Sequence, residues 1–299
     1  MKKHYISLLT LLTTSFLGFS QKSLKDWQIA FMSTRDGNFE IYIMDSDGQN
    51  AKNLSNHSKT DYWASYSRQN KKIYFSTNRD GNEELYVMNL DGSNPINLSN
   101  NKSEDRLPTV SPDGKKIVFE SNRDEKQGEI YIANSDGSQI KRITNNMFYE
   151  DAVFWSPDGK KLIFTRDIKD PSDSLSKSNG EIFIINTDGT GEKRLTTREG
   201  FDGGPQISPD GKTIAFYGES EKSYWDIFLM DLDGSNIKNI TNDVAEDYSP
   251  SWSPDGKWLA FTSGNSNNYD IWILNIQSGE RKQITSQPKR DETPVWIVK

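Results

Sequence analysis

The chain has 299 residues, 33% of them hydrophobic and 26% charged, with a formal net charge of −7. That composition describes a soluble globular protein, and one large all-β domain of this length is ordinary. The acid excess disfavours nucleic acid and anionic membrane as partners. Cysteine is absent, so neither disulfides nor a lipid-modified N-terminal cysteine is available, and His4 and His57 alone cannot build a histidine-rich metal site.

The first twenty residues read as a secretory signal peptide. Lys2, Lys3 and His4 precede an apolar run from Tyr5 to Phe19, and Gly18 and Ser20 supply the small residues of a cleavage site before Gln21. The alternative, a membrane anchor, meets the difficulty that the run is short for a bilayer. Residues 21–299 are expected to form a single domain, exported to a periplasm or secreted, with no membrane insertion after cleavage and no partner copy needed.

From Trp27 onward one unit recurs six times. Its period is set by Gly48, Gly92, Gly137, Gly189, Gly234 and Gly279, spaced by 44, 45, 52, 45 and 45 residues. A period in the mid-forties with four short strands per unit predicts a propeller blade. In each unit the first strand leads to a Ser-Pro-Asp-Gly hairpin, at Ser111, Ser156, Ser208 and Ser253, where proline presets φ and glycine accepts the positive φ. Ser67-Arg68-Gln69-Asn70 replaces it in the second unit, with Asn70 able to take the left-handed conformation. Second strands such as Ile117-Val118-Phe119 are apolar on both faces, as in a sheet covered on both sides. Third strands begin with an acid (Glu40, Glu84, Glu129, Glu181, Asp226, Asp270) and end at Asp-Gly turns, and the fourth strands are short.

The first unit starts at its second strand, Gln28 to Ser33, whereas the chain ends in an unpaired first-strand sequence, Thr293 to Val298, with Trp296 in the position of Trp155 and Trp252. The C-terminal strand is therefore predicted to complete the first blade. The expected fold is all-β: a six-bladed β-propeller of four antiparallel strands per blade, closed by that strand.

These repeats resemble the WD-like propeller repeats of the TolB family, which carry the same Ser-Pro-Asp-Gly-Lys turn and Glu-Ile-Tyr strand followed by Asp-Gly-Ser, and the match runs from Trp27 to Lys299. The resemblance implies a periplasmic envelope protein. TolB itself also has an α/β domain before its propeller, for which only Gln21 to Asp26 remains here, so the resemblance extends to the propeller and not to the whole TolB role.

Strand parity places the loops after the second and fourth strands at one end of the ring. That end varies, with insertions at Asp167–Gly180, Gly218–Trp225 and Gly264–Tyr269, and variable loops on a rigid scaffold are the usual place for recognition. A carboxylate recurs there at the start of each innermost strand: Asp61, Asp105, Glu150, Asp202, Asp247 and Asp291. These are expected to ring the channel mouth, either as a site for a cation or cationic peptide or as caps and partners of loop arginines. Arg35, Arg79 and Arg123 are expected to make local ion pairs or loop hydrogen bonds with Glu40, Glu84 and Glu129, five or six residues on. The non-repeating Tyr62, Trp63, Arg106, Tyr149, Phe201 and Tyr248 complete the candidate binding face, with Tyr217, Trp225 and Tyr269 beside them.

No phosphate loop, nucleophile elbow or sialidase Asp box is present, and a catalytic triad would have to use His57. No catalytic residue is assigned. No cofactor or metal is expected; the Asp231-Leu232-Asp233-Gly234 stretch resembles a calcium loop but lies at a hairpin turn, so a channel-bound cation such as calcium is the lesser alternative. Two readings of function remain: a non-catalytic scaffold binding an envelope protein or peptide, and a propeller that binds or acts on carbohydrate, since an acidic ring offers paired carboxylates.

Overall fold

The computed structural model describes residues 24–169, 178–222, 224–265 and 268–298. The predicted signal peptide and the centre of the Asp167–Gly180 insertion lie outside these. Six four-stranded antiparallel sheets make up the fold, and the described residues contain a single short 3-10 turn, Leu24–Asp26, and no α-helix. The innermost strands are Asp61–Ser67, Asp105–Val110, Tyr149–Trp155, Asp202–Ile207, Glu246–Trp252 and Asp291–Val298.

The last of these pairs antiparallel with Trp27–Ser33, so the C-terminal strand completes blade one as the sequence predicted. Trp296 packs edge-on against Trp27 with ring centroids 5.6 Å apart. Its indole N–H donates to the Ser251 carbonyl of blade six at 3.0 Å. Trp155 and Trp252 make the same bond to Thr109 and Gln206 of the blades before them. Closure therefore repeats the contact that joins blades elsewhere, every blade has its full four strands, and the outer edges left are short strands of two or three residues.

The core lies between blades, where second and third strands are buried on both faces: Ile73, Phe75, Ile117, Phe164, Phe216 and Phe261 are inaccessible or nearly so. Burying each such side chain contributes about 1.5–3 kcal/mol. Each third strand is tied to its outermost strand by a repeated hydroxyl. Ser55, Ser99, Thr144, Thr196, Thr241 and Thr285 each accept the N–H of the residue after the strand's first acid, at 2.9–3.0 Å. The fourth strand of only two or three residues is held by this bond as much as by its ladder.

The Ser-Pro-Asp-Gly turns behave as their chemistry dictates: Gly114, Gly159, Gly211 and Gly256 have φ of 69–75°, and each serine hydroxyl donates to the aspartate two residues on. Blade two differs from expectation. There Lys71, not Asn70, takes the positive φ of 51°, and the Asn70 side-chain amide donates to the Gly114 carbonyl of the next blade at 2.7 Å.

Candidate functional site

The six repeated carboxylates do not line the mouth of the channel. Asp61, Asp105, Glu150, Asp202, Asp247 and Asp291 have no exposed surface, and each is held by an arginine. The arginine partners also correct the sequence expectation. Arg35, Arg79 and Arg123 reach across their blades to Asp291, Asp61 and Asp105 at 2.8–2.9 Å rather than pairing with Glu40, Glu84 and Glu129.

Blades four to six fill the same place from other parts of the chain. Arg166 comes from the second strand of blade four, Arg198 from the linker entering blade five, and Arg281 from the outermost strand of blade six. In all six blades the guanidinium lies over two aromatic rings of the second and third strands, such as Phe119 and Tyr131 under Arg123 at 5.4 and 5.1 Å. A planar cation that stacks and binds a carboxylate through a fixed fork suits this place better than lysine would. The absence of the loop arginine from blades four, five and six is thus an exchange of supplier and leaves the pairing intact. Burial pushes Asp202 and Asp247 up to about 6, with Arg198 and Arg281 opposing it.

The mouth is formed by the residue after each carboxylate. Every innermost strand carries a β-bulge, and the second residue past the acid has a positive φ: Trp63 55°, Leu107 55°, Ala152 49°, Gly204 57°, Ser249 52° and Thr293 50°. For the five that are not glycine this costs on the order of 1–3 kcal/mol each. Bonds from neighbouring blades hold it, as where the Leu107, Gly204 and Thr293 N–H groups donate to Ser76, Thr165 and Thr262 hydroxyls at 2.8–3.0 Å. Bulges of this kind re-aim a side chain. Here they turn Tyr62, Arg106, Asp151, Tyr248 and Glu292 into a cavity of about 570 Å³ at the variable end.

One wall of the cavity is aromatic. Tyr217 packs on Trp225 at 5.3 Å, Trp225 on Tyr248 at 5.9 Å, and Tyr248 on Tyr269 at 5.5 Å. Phe201 lies behind Tyr217 and Trp225 and supports them. The wall depends on Gly203 and Gly204, because a Cβ on Gly204 would stand 2.6 Å from the Tyr217 ring. The Tyr248 hydroxyl donates to Glu292 at 2.8 Å, and Glu292 also accepts from Arg290. Burial first, then the Glu292 charge, raises the Tyr248 hydroxyl far above its ordinary value. Trp63 lies deeper, against Phe154 across the channel at 6.0 Å.

The opposite wall is acidic. Glu120 is 4% exposed and accepts the Tyr149 hydroxyl at 3.1 Å. Burial and then the charge of Asp151 push Glu120 up to about 8, while Arg106 opposes them. Burial also raises Asp151, whose Oδ1 caps the Ala152 N–H at 2.6 Å. Burial alone would lower Arg106, but the charges of Glu120 and Glu83 outweigh it. The Glu83 Oε2 atom lies 3.6 Å from Arg106 Nε, and each is buried without a hydrogen-bond partner. The structure thus brings Tyr62, Trp63, Arg106, Tyr149 and Tyr248 together at the cavity, sets Phe201 behind it, and buries the six acids beneath it. Asp151, Glu292, Glu83 and Glu120 were not singled out from the sequence. Their signal is positional, since Asp151 and Glu292 immediately follow repeated acids.

Among the described residues, Asp226, Asp243 and Asp247 bring three carboxylates within 4.8 Å of one another. Arg281 already bonds two of them, at 2.5 Å to Asp243 and 3.2 Å to Asp247. At the Asp231–Gly234 turn, Asp233 accepts the Ser235 N–H and hydroxyl and so closes the turn itself.

Comparison with known proteins agrees with this fold. TolB from Acinetobacter baumannii superposes with a TM-score of 0.78 at 22% identity, covering 92% of this chain and 67% of that one. The putative TolB from Agrobacterium tumefaciens gives 0.68 at 21%, covering 87% and 88%. An oligogalacturonate lyase from Vibrio parahaemolyticus gives 0.57 at 15%, covering 88% and 73%. At these identities the likeness is one of fold. A search of curated protein sequences finds no match. The family model described as TolB beta propeller domain matches residues 23–126, 74–173 and 174–299, and the chain therefore belongs to that family.

Proposed function

We propose that this protein is an exported, non-catalytic propeller that presents its variable end to a polypeptide partner in the bacterial cell envelope. One observation carries the reading. Of the nine large apolar side chains exposed among the described residues, five (Met147, Tyr149, Tyr224, Trp225 and Val244) belong to loops or strand ends at the variable end, where Tyr149 and Trp225 line the cavity, whereas Ile96, Ile140, Leu232 and Ile237 are scattered along the outer strands and Asp-Gly turns. Val244 is 68% and Met147 56% exposed. Exposed apolar groups around a concave centre with polar groups at its base have the anatomy of a protein-docking face. Export rests on the Lys2–Ser20 segment and on the family resemblance, and the protein acts as a monomer without cofactor.

The second reading, a carbohydrate-binding or carbohydrate-active propeller, draws on the aromatic wall facing carboxylates. The excess of carboxylates at the cavity disfavours an acidic sugar there. The double variant Met147→Glu/Val244→Glu separates the two readings. It should keep the wild-type melting temperature and lose capture of the partner that the wild type retains from envelope extract. Glycan-array binding that survives the substitutions, with no protein captured by either form, would transfer the assignment to carbohydrate.

A further inference from the structure

The cavity is chemically one-sided. Glu83, Asp151 and Glu292 contribute three carboxylates to its lining and Arg106 the one lining cation, with Glu120 behind. Glu292 is served by Arg290 and the Tyr248 hydroxyl. On the other side Glu83, Glu120 and Asp151 share Arg106, which forms a hydrogen bond to none of them. Asp151 caps Ala152 through Oδ1, which leaves Oδ2 for a ligand. The Thr293 hydroxyl, also at the cavity, is buried and without a partner. Facing this acidic side are the rings of Tyr217, Trp225 and Tyr248. A carboxylate without a dedicated counter-ion opposite aromatic faces is the complement of an organic cation, which gains from both the charge and the ring quadrupoles when it leaves water.

Resting on the polypeptide-docking reading above, we propose that this cavity receives a lysine or arginine side chain of the bound polypeptide, its cationic head at Asp151 and its aliphatic stem along Tyr217 and Trp225. The apolar rim receives the neighbouring residues of the partner. Arg106 sets the selectivity: it repels a second cation and leaves room for one. A cationic head also relieves the repulsion between Asp151 and Glu120. Glu120 is faced by Asp151 and Tyr149 from the innermost strand of blade four, by Arg106 from that of blade three and by Glu83 from blade two. Binding should therefore release a proton from Glu120 and strengthen as pH rises from about 6 to about 9.

The test uses the full chain and intrinsic tryptophan fluorescence, since Trp63 and Trp225 line the cavity. The probes are N-acetylated, C-amidated peptides that differ only in a central lysine, arginine or norleucine, an unacetylated norleucine peptide, and N-acetyl-lysine methylamide alone. We expect the lysine or arginine peptide to bind at least about tenfold tighter than the acetylated norleucine peptide. Asp151→Asn, which keeps the Ala152 cap, should erase that difference, while Arg68→Ala at the opposite end of the ring should not. Preference for the unacetylated norleucine peptide would give the cation a different source, the partner's amino terminus, and would overturn the side-chain assignment. Equal binding of lysine and norleucine peptides overturns the cation site and leaves the docking face standing. Binding of N-acetyl-lysine methylamide without binding of any peptide upholds the cation site and overturns the polypeptide reading. Binding of none overturns both.

Discussion

Alanine at Asp105 separates a structural carboxylate from a ligand-binding one. Asp105 is wholly buried, and both its oxygens accept from Arg123 Nη2, at 2.8 and 2.9 Å, while Oδ2 also accepts from Asn101 at 2.5 Å. Removing it leaves a guanidinium over Phe119 and Tyr131 with no anion. Breaking a buried pair from one side costs about 3–5 kcal/mol. The Arg123 side chain is 20% exposed, so water recovers part of this, and a loss of about 2–4 kcal/mol follows. At roughly 2 °C per kcal/mol for a domain of this size, the melting temperature should fall by about 4–8 °C. The double variant Asp105→Ala/Arg123→Met removes both charges, keeps an apolar stem over the rings, and should be less destabilised than the single variant. Urea denaturation followed by tryptophan fluorescence gives both free energies, with partner binding measured on the folded fraction. Unchanged stability with binding lost would return the buried carboxylates to the binding face and refute the assignment made here.

Deleting residues 293–299 removes most of the strand that completes blade one, including Trp296 and its bond to Ser251. The truncated chain should show a lower melting temperature and faster proteolysis in blades one and six, and an unchanged melting curve would contradict ring closure. Glu120→Gln tests the acidic wall. A folded-state value of about 8 against an ordinary 4.5 means the folded protein keeps a proton that the unfolded chain releases. The stabilisation is full below about pH 4.5 and is lost as pH rises through about 8. Glutamine, always neutral, should match the wild type near pH 4 and exceed its melting temperature near pH 9. Parallel pH profiles for the two proteins would show that Glu120 ionises freely.

The sequence alone was enough for the blades, because a blade is built from local signals. Proline and glycine fix the hairpins, a run such as Ile117-Val118-Phe119 can only be a strand covered on both faces, and Trp296 in the register of Trp252 dictates which strand closes the ring. It also indicated the end of the ring that varies, and Tyr62, Trp63, Arg106 and Tyr248 within it. The division of labour among the charges was decided in three dimensions. Asp105 and Arg106 are adjacent in sequence, yet in a strand with a period of two one is sealed under Arg123 and the next is turned by a bulge toward the axis. Arg198 and Arg281 stand far from the loop position of Arg35, yet they reach the same place over the same two rings, because a long side chain is selected by where its head arrives and not by where its Cα lies. Asp151 and Glu120, from blades four and three, become one acidic wall only when those blades pack together and bring Glu120 behind the Asp151 that lines the cavity.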